Sequence, residues 1–230
     1  MAELLVCNLG LVEYRAASAL QERLRADRQA GRRGDLLLLL EHPPVYTRGR
    51  RSEPGELPMG EDWYRAQGID VVATDRGGKL TYHGPGQLVG YPIMGIVDVV
   101  GYLRTMERAL VAALADEGVV AGPREGLTGV WVEDRKIGSI GVHVARGVTT
   151  HGFAINVEND LQPFEWVVPC GLEGVRMTSL AHERHAPAPE GLQRFRAAVA
   201  RRFAEAFELE PRELPAESVW EPRGAPVPLA

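Results

Sequence analysis

Arg76-Gly77-Gly78-Lys79-Leu80-Thr81-Tyr82-His83-Gly84-Pro85-Gly86-Gln87 joins two apolar runs, residues 69–74 and 88–93. Both runs have strand length and composition, so the segment between them reads as a loop clamped at each end by buried strands. Its four glycines let a ligand approach the backbone, and Pro85 fixes one φ and removes one donor. The polar side chains Arg76, Lys79, Thr81, Tyr82 and His83 sit beside that open backbone. A shaped ligand loop is the functional reading; a solvated turn is the alternative that Gly and Pro alone also permit.

Outward from this loop the chain alternates strand and helix signals, which is the pattern of an α/β fold. Residues 4–9 and the continuous run 36–40 read as strands, and 12–29 between them as a surface helix. Residues 47–60 form a long Arg, Gly, Pro and Glu-rich loop, followed by a short helix at 61–67. The clearest helix is 98–118, where Leu103, Met106, Leu110 and Leu114 follow a three-to-four spacing with Glu107 and Arg108 on another face. Strands at 129–132 and 136–144 flank a turn at Glu133-Asp134-Arg135, strand 149–157 follows, and 167–174 is an apolar loop. A last amphipathic helix covers 190–207. One domain over residues 1–210 and a tail with little core over 211–230 are expected.

The chain has 230 residues, 45% of them hydrophobic, enough for one sizeable core without staples. No run approaches the roughly 18 apolar residues of a membrane helix, and the sequence goes from Met1 straight into strand-like residues, so a cytoplasmic protein is expected. A net charge of −5 argues against a general nucleic-acid binder. Two cysteines, Cys7 and Cys170, are too few for a disulfide framework or a thiolate metal site. Cys7 lies among apolar strand residues and reads as core. His42, at a strand end, is readable either as structural or as facing a ligand.

Familiar phosphate loops fail on spacing. Lys79 is followed by Leu80 rather than Ser or Thr, and the G-x-G-x-x-G pattern is broken. His83, His143 and His151 lack acidic or thiol companions at ligand spacing, so no metal is expected. Cys170, between Pro169 and Gly171 in a loop, is the candidate nucleophile, because a thiol needs a nearby cation or base to become a thiolate at neutral pH. Only Lys79 and Lys136 of the 26 basic residues are lysine. Lys136, in a strand opened by Gly138 and Gly141, could supply that charge. Spacing alone cannot put Lys136 beside Cys170, and an inert loop thiol with a surface lysine is the alternative.

Four motifs, RGGKLTYHGPGQ (76–87), RKIGSIGV (135–142), THGFAINV (150–157) and PCG (169–171), occur in one order across residues 36–180. Together they resemble the octanoyltransferases of lipoate biosynthesis. The resemblance implies a biotin/lipoate protein ligase-like α/β fold, a mixed β-sheet with packed helices. It implies transfer of an octanoyl or lipoyl group, without a cofactor, from octanoyl-acyl carrier protein to a lysine of lipoyl domains. The implied acceptors are those of 2-oxoacid dehydrogenase complexes and the glycine cleavage H protein, with the enzyme expected to act as a monomer.

By that resemblance Cys170 is the acyl-accepting catalytic cysteine and Lys136 the lysine that lowers its pKa. The acyl-binding segments match Arg76, Gly77, Gly78, Lys79, Leu80, Thr81, Tyr82 and His83; Ser139, Ile140 and Gly141; and Gly152, Phe153 and Ala154. Leu80, Ile140 and Phe153 are the expected wall of an acyl tunnel, and Arg48, Arg50 and Arg51 the expected docking charges for an acidic carrier protein. An ATP-dependent lipoate ligase of the same fold and a noncatalytic carrier-binding module are the alternatives.

Overall fold

A computed structural model describes residues 2–53, 55–167, 175–185 and 191–220. The chain opens with β1 (Glu3–Leu11), α1 (Tyr14–Gln29) and β2 (Asp35–Glu41). Strands β1 and β2 pair in parallel, with Leu5 opposite Leu36 and Cys7 opposite Leu38, and α1 makes the crossover that a parallel pair requires. The leucines at 36–40 are fully buried, since β2 is central and covered on both faces.

Next come β3 (Val45–Arg48), α2 (Glu61–Ala66), β4 (Asp70–Ala73), β5 (Leu80–His83) and β6 (Gln87–Ile93). They are followed by α3 (Val99–Asp116), β7 (Gly122–Arg124), β8 (Leu127–Val132), β9 (Arg135–Ala145) and β10 (Val148–Asn156). The described chain closes with α4 (Gln162–Glu165), α5 (Leu180–Glu183), α6 (Gly191–Ala206) and β11 (Glu210–Glu213). Among the described residues eight strands form one mixed sheet in the order β11-β1-β2-β6-β10-β9-β8-β7, and β4-β3-β5 form a small second sheet. Asp98 starts α3 as its cap, its carboxylate accepting from Val100 N–H at 3.0 Å. Glu133, with φ 53, forms the expected turn between β8 and β9.

Among the described residues three apolar clusters hold this arrangement. Helices α3 and α6 cover one face of the large sheet through Met106, Leu110, Phe195 and Phe203, while α1 covers the other through Ala17, Leu20 and Leu24. The third cluster, with Tyr46, Tyr64, Leu80 and Tyr82, lies on one face of the small sheet. Cys7 is fully buried in the second cluster, which pushes its thiol up to about 12. Among the described residues no helix is long and apolar enough to cross a membrane.

Three expectations are corrected. The span 76–87 is not one loop: β5 occupies its middle, paired antiparallel to β3 with Tyr46 opposite Tyr82. Of the tail with little core expected over 211–230, residues 211–220 are packed, because β11 pairs in parallel with β1 and Val219 is fully buried in the second cluster, and 221–230 lie outside the described residues. Glu107, expected on another face of α3 from the apolar positions, is itself buried, 2% exposed. From residue 168 onward the loop expected over 167–174, including Cys170, lies outside the described residues.

Candidate active site

Side chains alternate across a strand, so the two faces of β5 carry different work. Leu80 and Tyr82 turn into the third cluster, whereas Thr81 and His83 face a cavity of about 690 Å³. Arg76, Gly77, Gly78 and Lys79 continue that wall. Leu80 and Tyr82 therefore leave the set of expected substrate contacts: they support the wall from behind. The opposite wall comes from β9 and β10, with Lys136, Ser139, Ile140, Gly141, Gly152, Phe153 and Ala154 all lining the cavity. The antiparallel register sets Gly152 opposite Gly141, Phe153 opposite Ile140 and Ala154 opposite Ser139, so the two motifs form one surface. Phe153 belongs at the same time to the main core, against Phe203, and Ile140 packs on that core.

The walls meet through the backbone. Gly77 N–H donates to Val142 O at 3.0 Å, and a Cβ added to Gly141 would lie 2.7 Å from Gly77 O. The turn after β3 closes over the first wall as well, with Arg50 N–H bonded to Arg76 O and Arg51 N–H to Gly78 O, both at 3.0 Å. Arg51 lines the cavity and Arg50 is exposed beside it, while Arg48 is paired with Glu61 at 3.1 Å and Lys79 with Glu53 at 2.9 Å.

Beneath the wall is a buried polar network. Gln87 Nε2 donates to Tyr82 O and to Asn156 Oδ1, which leaves Gln87 Oε1 to accept from His83 Nδ1 at 2.7 Å. Asn156 in turn donates to Thr178 O at 3.0 Å, and Thr178 N–H donates to Lys136 O. His42 is structural: Nδ1 donates to Val12 O, and Tyr91 donates its hydroxyl to Nε2 at 2.7 Å. Burial lowers the pKa of His42 to about 4 and that of His83 well below its usual value, the neighbouring His42 adding to the second effect. Both rings are therefore neutral at physiological pH.

His143 and His151, far apart in sequence, share Asp75. His151 Nε2 lies 2.7 Å from one carboxylate oxygen, and His143 Nδ1 pairs with the other. The hydrogen bond from His151 holds the Asp75 carboxyl far below the usual range. Among the described residues no group of three or more His, Cys, Asp or Glu side chains is placed to hold a metal ion.

Lys136 is 4% exposed at the cavity wall, with Nζ 5.4 Å from the centre of the Trp131 ring. Its backbone is held on both sides by the segment that follows residue 174. Lys136 N–H donates to Arg176 O at 2.8 Å, and Thr178 N–H to Lys136 O at 3.0 Å. Sequence reasoning missed Thr47, Asp75, Asn156, Glu107 and Gly129. Asn156 had a usable signal, since it is a polar residue between the apolar Ile155 and Val157; the others are polar or glycine residues with no local pattern.

A family model described as the lipoyl protein ligase A/B catalytic domain matches residues 13–204. An octanoyltransferase of Solibacter usitatus is 46% identical over 207 residues, covering 88% of this chain and 92% of that one. An octanoyltransferase of Mycobacterium bovis is 50% identical over 184 residues, covering 77% and 76% of the two chains. The fold is shared with a T. acidophilum protein described as a lipoate protein ligase, solved with lipoic acid bound, at TM-score 0.76 and 21% identity over 95% of this chain and 93% of that one. Identity at this level over most of both chains, on that fold, settles the family: the protein belongs to the octanoyltransferases, acyltransferases within the lipoyl protein ligase A/B group.

Proposed function

We propose that the protein takes an octanoyl group from the phosphopantetheine thioester of acyl carrier protein and passes it to a lysine of a lipoyl domain, through a thioester on Cys170 assisted by Lys136. The observation that carries this reading is the convergence of three distant motifs, 76–79, 136–141 and 152–154, on one cavity that has Lys136 in its wall. The chain leaving Cys170 is tied to Lys136 six residues later, at Arg176. Extended chain spans at most about 3.5 Å per residue, so that tether bounds the separation of the two.

In this mechanism the Cys170 thiolate, favoured by the Lys136 ammonium, attacks the thioester carbonyl. The C–S bond to phosphopantetheine breaks, and the departing thiolate takes a proton from Lys136. Exchange of one thioester for another is nearly balanced, so no nucleotide is needed. The neutral Lys136 then accepts a proton from the acceptor amine as it attacks the acyl-enzyme. Amide formation expels the Cys170 thiolate, restores the ammonium and drives the sequence forward. Backbone amides of the glycine-rich walls would stabilise the oxyanion.

The donor is octanoyl-acyl carrier protein, steered by the exposed Arg50 and Arg51 rather than by Arg48, which Glu61 neutralises. The acceptors are lipoyl domains of 2-oxoacid dehydrogenases and the glycine cleavage H protein, and the enzyme is a cytoplasmic monomer with one catalytic domain. Intact-mass analysis after mixing with octanoyl-acyl carrier protein, without nucleotide, tests the reading. Wild type should gain one octanoyl mass, and Cys170→Ala none. An absolute ATP requirement would identify a ligase instead, and full turnover by Cys170→Ala would end the covalent mechanism.

A further inference from the structure

Helix α3 packs apolar residues against the sheet, and Glu107 interrupts them from inside. Its side chain is 2% exposed; Oε1 accepts from Gly129 N–H at 3.1 Å and Oε2 from Arg104 Nη1 at 2.6 Å. A carboxylate removed from water is costly unless hydrogen-bonded, so its placement against one backbone amide of β8 needs a reason.

Gly129 supplies it. Its φ of +135 is one that side-chain-bearing residues rarely adopt, and a Cβ there would lie 2.6 Å from Gly138 O, 2.9 Å from Lys136 Cε and 3.5 Å from Nζ. The bare Cα of Gly129 is thus the surface on which the end of the Lys136 stem rests, with the Trp131 ring also beside Nζ. We infer that Glu107 and Gly129 are positioning residues for Lys136. The carboxylate holds the Gly129 amide, and the Gly129 Cα fixes where the ammonium sits in the cavity wall. This rests on the reading of Lys136 as the partner of Cys170, and neither positioning residue lines the cavity.

The test uses the protein labelled with ¹³C-lysine. Lys79 and Lys136 are the two lysines, so two side-chain spin systems are seen, with that of Lys136 displaced by the Trp131 ring. Glu107→Ala and Gly129→Ala should each move the Lys136 Cε resonance and leave that of Lys79 in place. Each should lower kcat for octanoyl transfer by about tenfold or more, with KM for the carrier substrate nearly unchanged. Glu107→Gln keeps an oxygen acceptor for the Gly129 amide and should restore both the resonance and kcat. Should Gly129→Ala fail to fold, Glu107→Ala, which leaves the strand unaltered, carries the test. An unmoved Lys136 resonance in Glu107→Ala overturns the inference, whatever the activity. A moved resonance with undiminished transfer upholds the positioning and overturns the role of Lys136 in the reaction.

Discussion

Arg76 and Thr47 are joined side chain to side chain: Arg76 Nε and Nη2 both donate to Thr47 Oγ1, at 3.2 and 2.8 Å, and Nη2 also reaches the Thr47 carbonyl. The Thr47 hydroxyl in turn faces His83 Nε2 at 3.4 Å. Strand β3 thereby fixes the guanidinium that begins the cavity wall. Thr47→Val keeps the shape and removes the acceptor, which should cost about 1.5–3 kcal/mol because the donor is charged and buried. It should also raise KM for the acyl donor severalfold. Urea unfolding and steady-state transfer kinetics check both, and unchanged values in both would show that Thr47 does not hold Arg76 in place.

The contact between Gly141 and Gly77 keeps the two walls at their present separation. Gly141→Ala would push against Gly77 O, so residues 76–79 must shift. Overpacking of this kind costs about 1–3 kcal/mol. Acylation by octanoyl-acyl carrier protein should slow by about tenfold or more through lost alignment. Cys170 should still titrate with a small thiol reagent. Loss of acylation and titration together would mean misfolding instead.

Stability should fall as the solution is acidified from pH 7 to pH 5. The His42 pKa is lowered from an ordinary value of 6.5 to about 4, so between those values the unfolded chain binds a proton that the folded chain refuses. The neutral ring makes no pH-dependent contribution above pH 6.5. Below it, stability declines by about 1.4 kcal/mol per pH unit until the folded pKa is reached, roughly 2 kcal/mol by pH 5. His83, lowered in the same direction, adds to the loss. Denaturant unfolding at several pH values should show a shallower slope for His42→Gln than for wild type. Equal slopes would show that His42 is accessible to protons in the folded state.

Val219 closes the α1 side of the core, and Arg23 donates to its carbonyl. Val219→Ala should lower the unfolding free energy by about 2 kcal/mol. Thermal and urea denaturation measure this directly. A change within experimental error would show that residues 211–220 add little to the core.

Elements whose signal is local were legible in the sequence. The leucine run became β2, the three-to-four spacing became α3, and Glu133-Asp134 became the hairpin turn. By contrast, β5 escaped notice because Leu80–His83 is short, polar on one face and paired with a strand more than thirty residues earlier. The Glu210–Glu213 strand has no apolar residue, and only the edge of β1 makes it a strand. Glu107 reads as lying on a face apart from the apolar positions because a charged residue inside a helical repeat is normally placed there; its partner, the Gly129 amide, is invisible until β8 is in place.

The candidate site divides along the same line. Its motifs at 76–79, 136–141 and 152–154, and the family they indicate, could be read from residue order alone, because each motif is a short run with its own backbone freedom and chemistry. Their meeting around one cavity, the separation of Thr81 and His83 from Leu80 and Tyr82, and the setting of Lys136 against Gly129 were decided only by tertiary structure. Periodicity tells which side chains share a face. Long-range strand pairing, here β9 with β10 and β3 with β5, decides which faces meet.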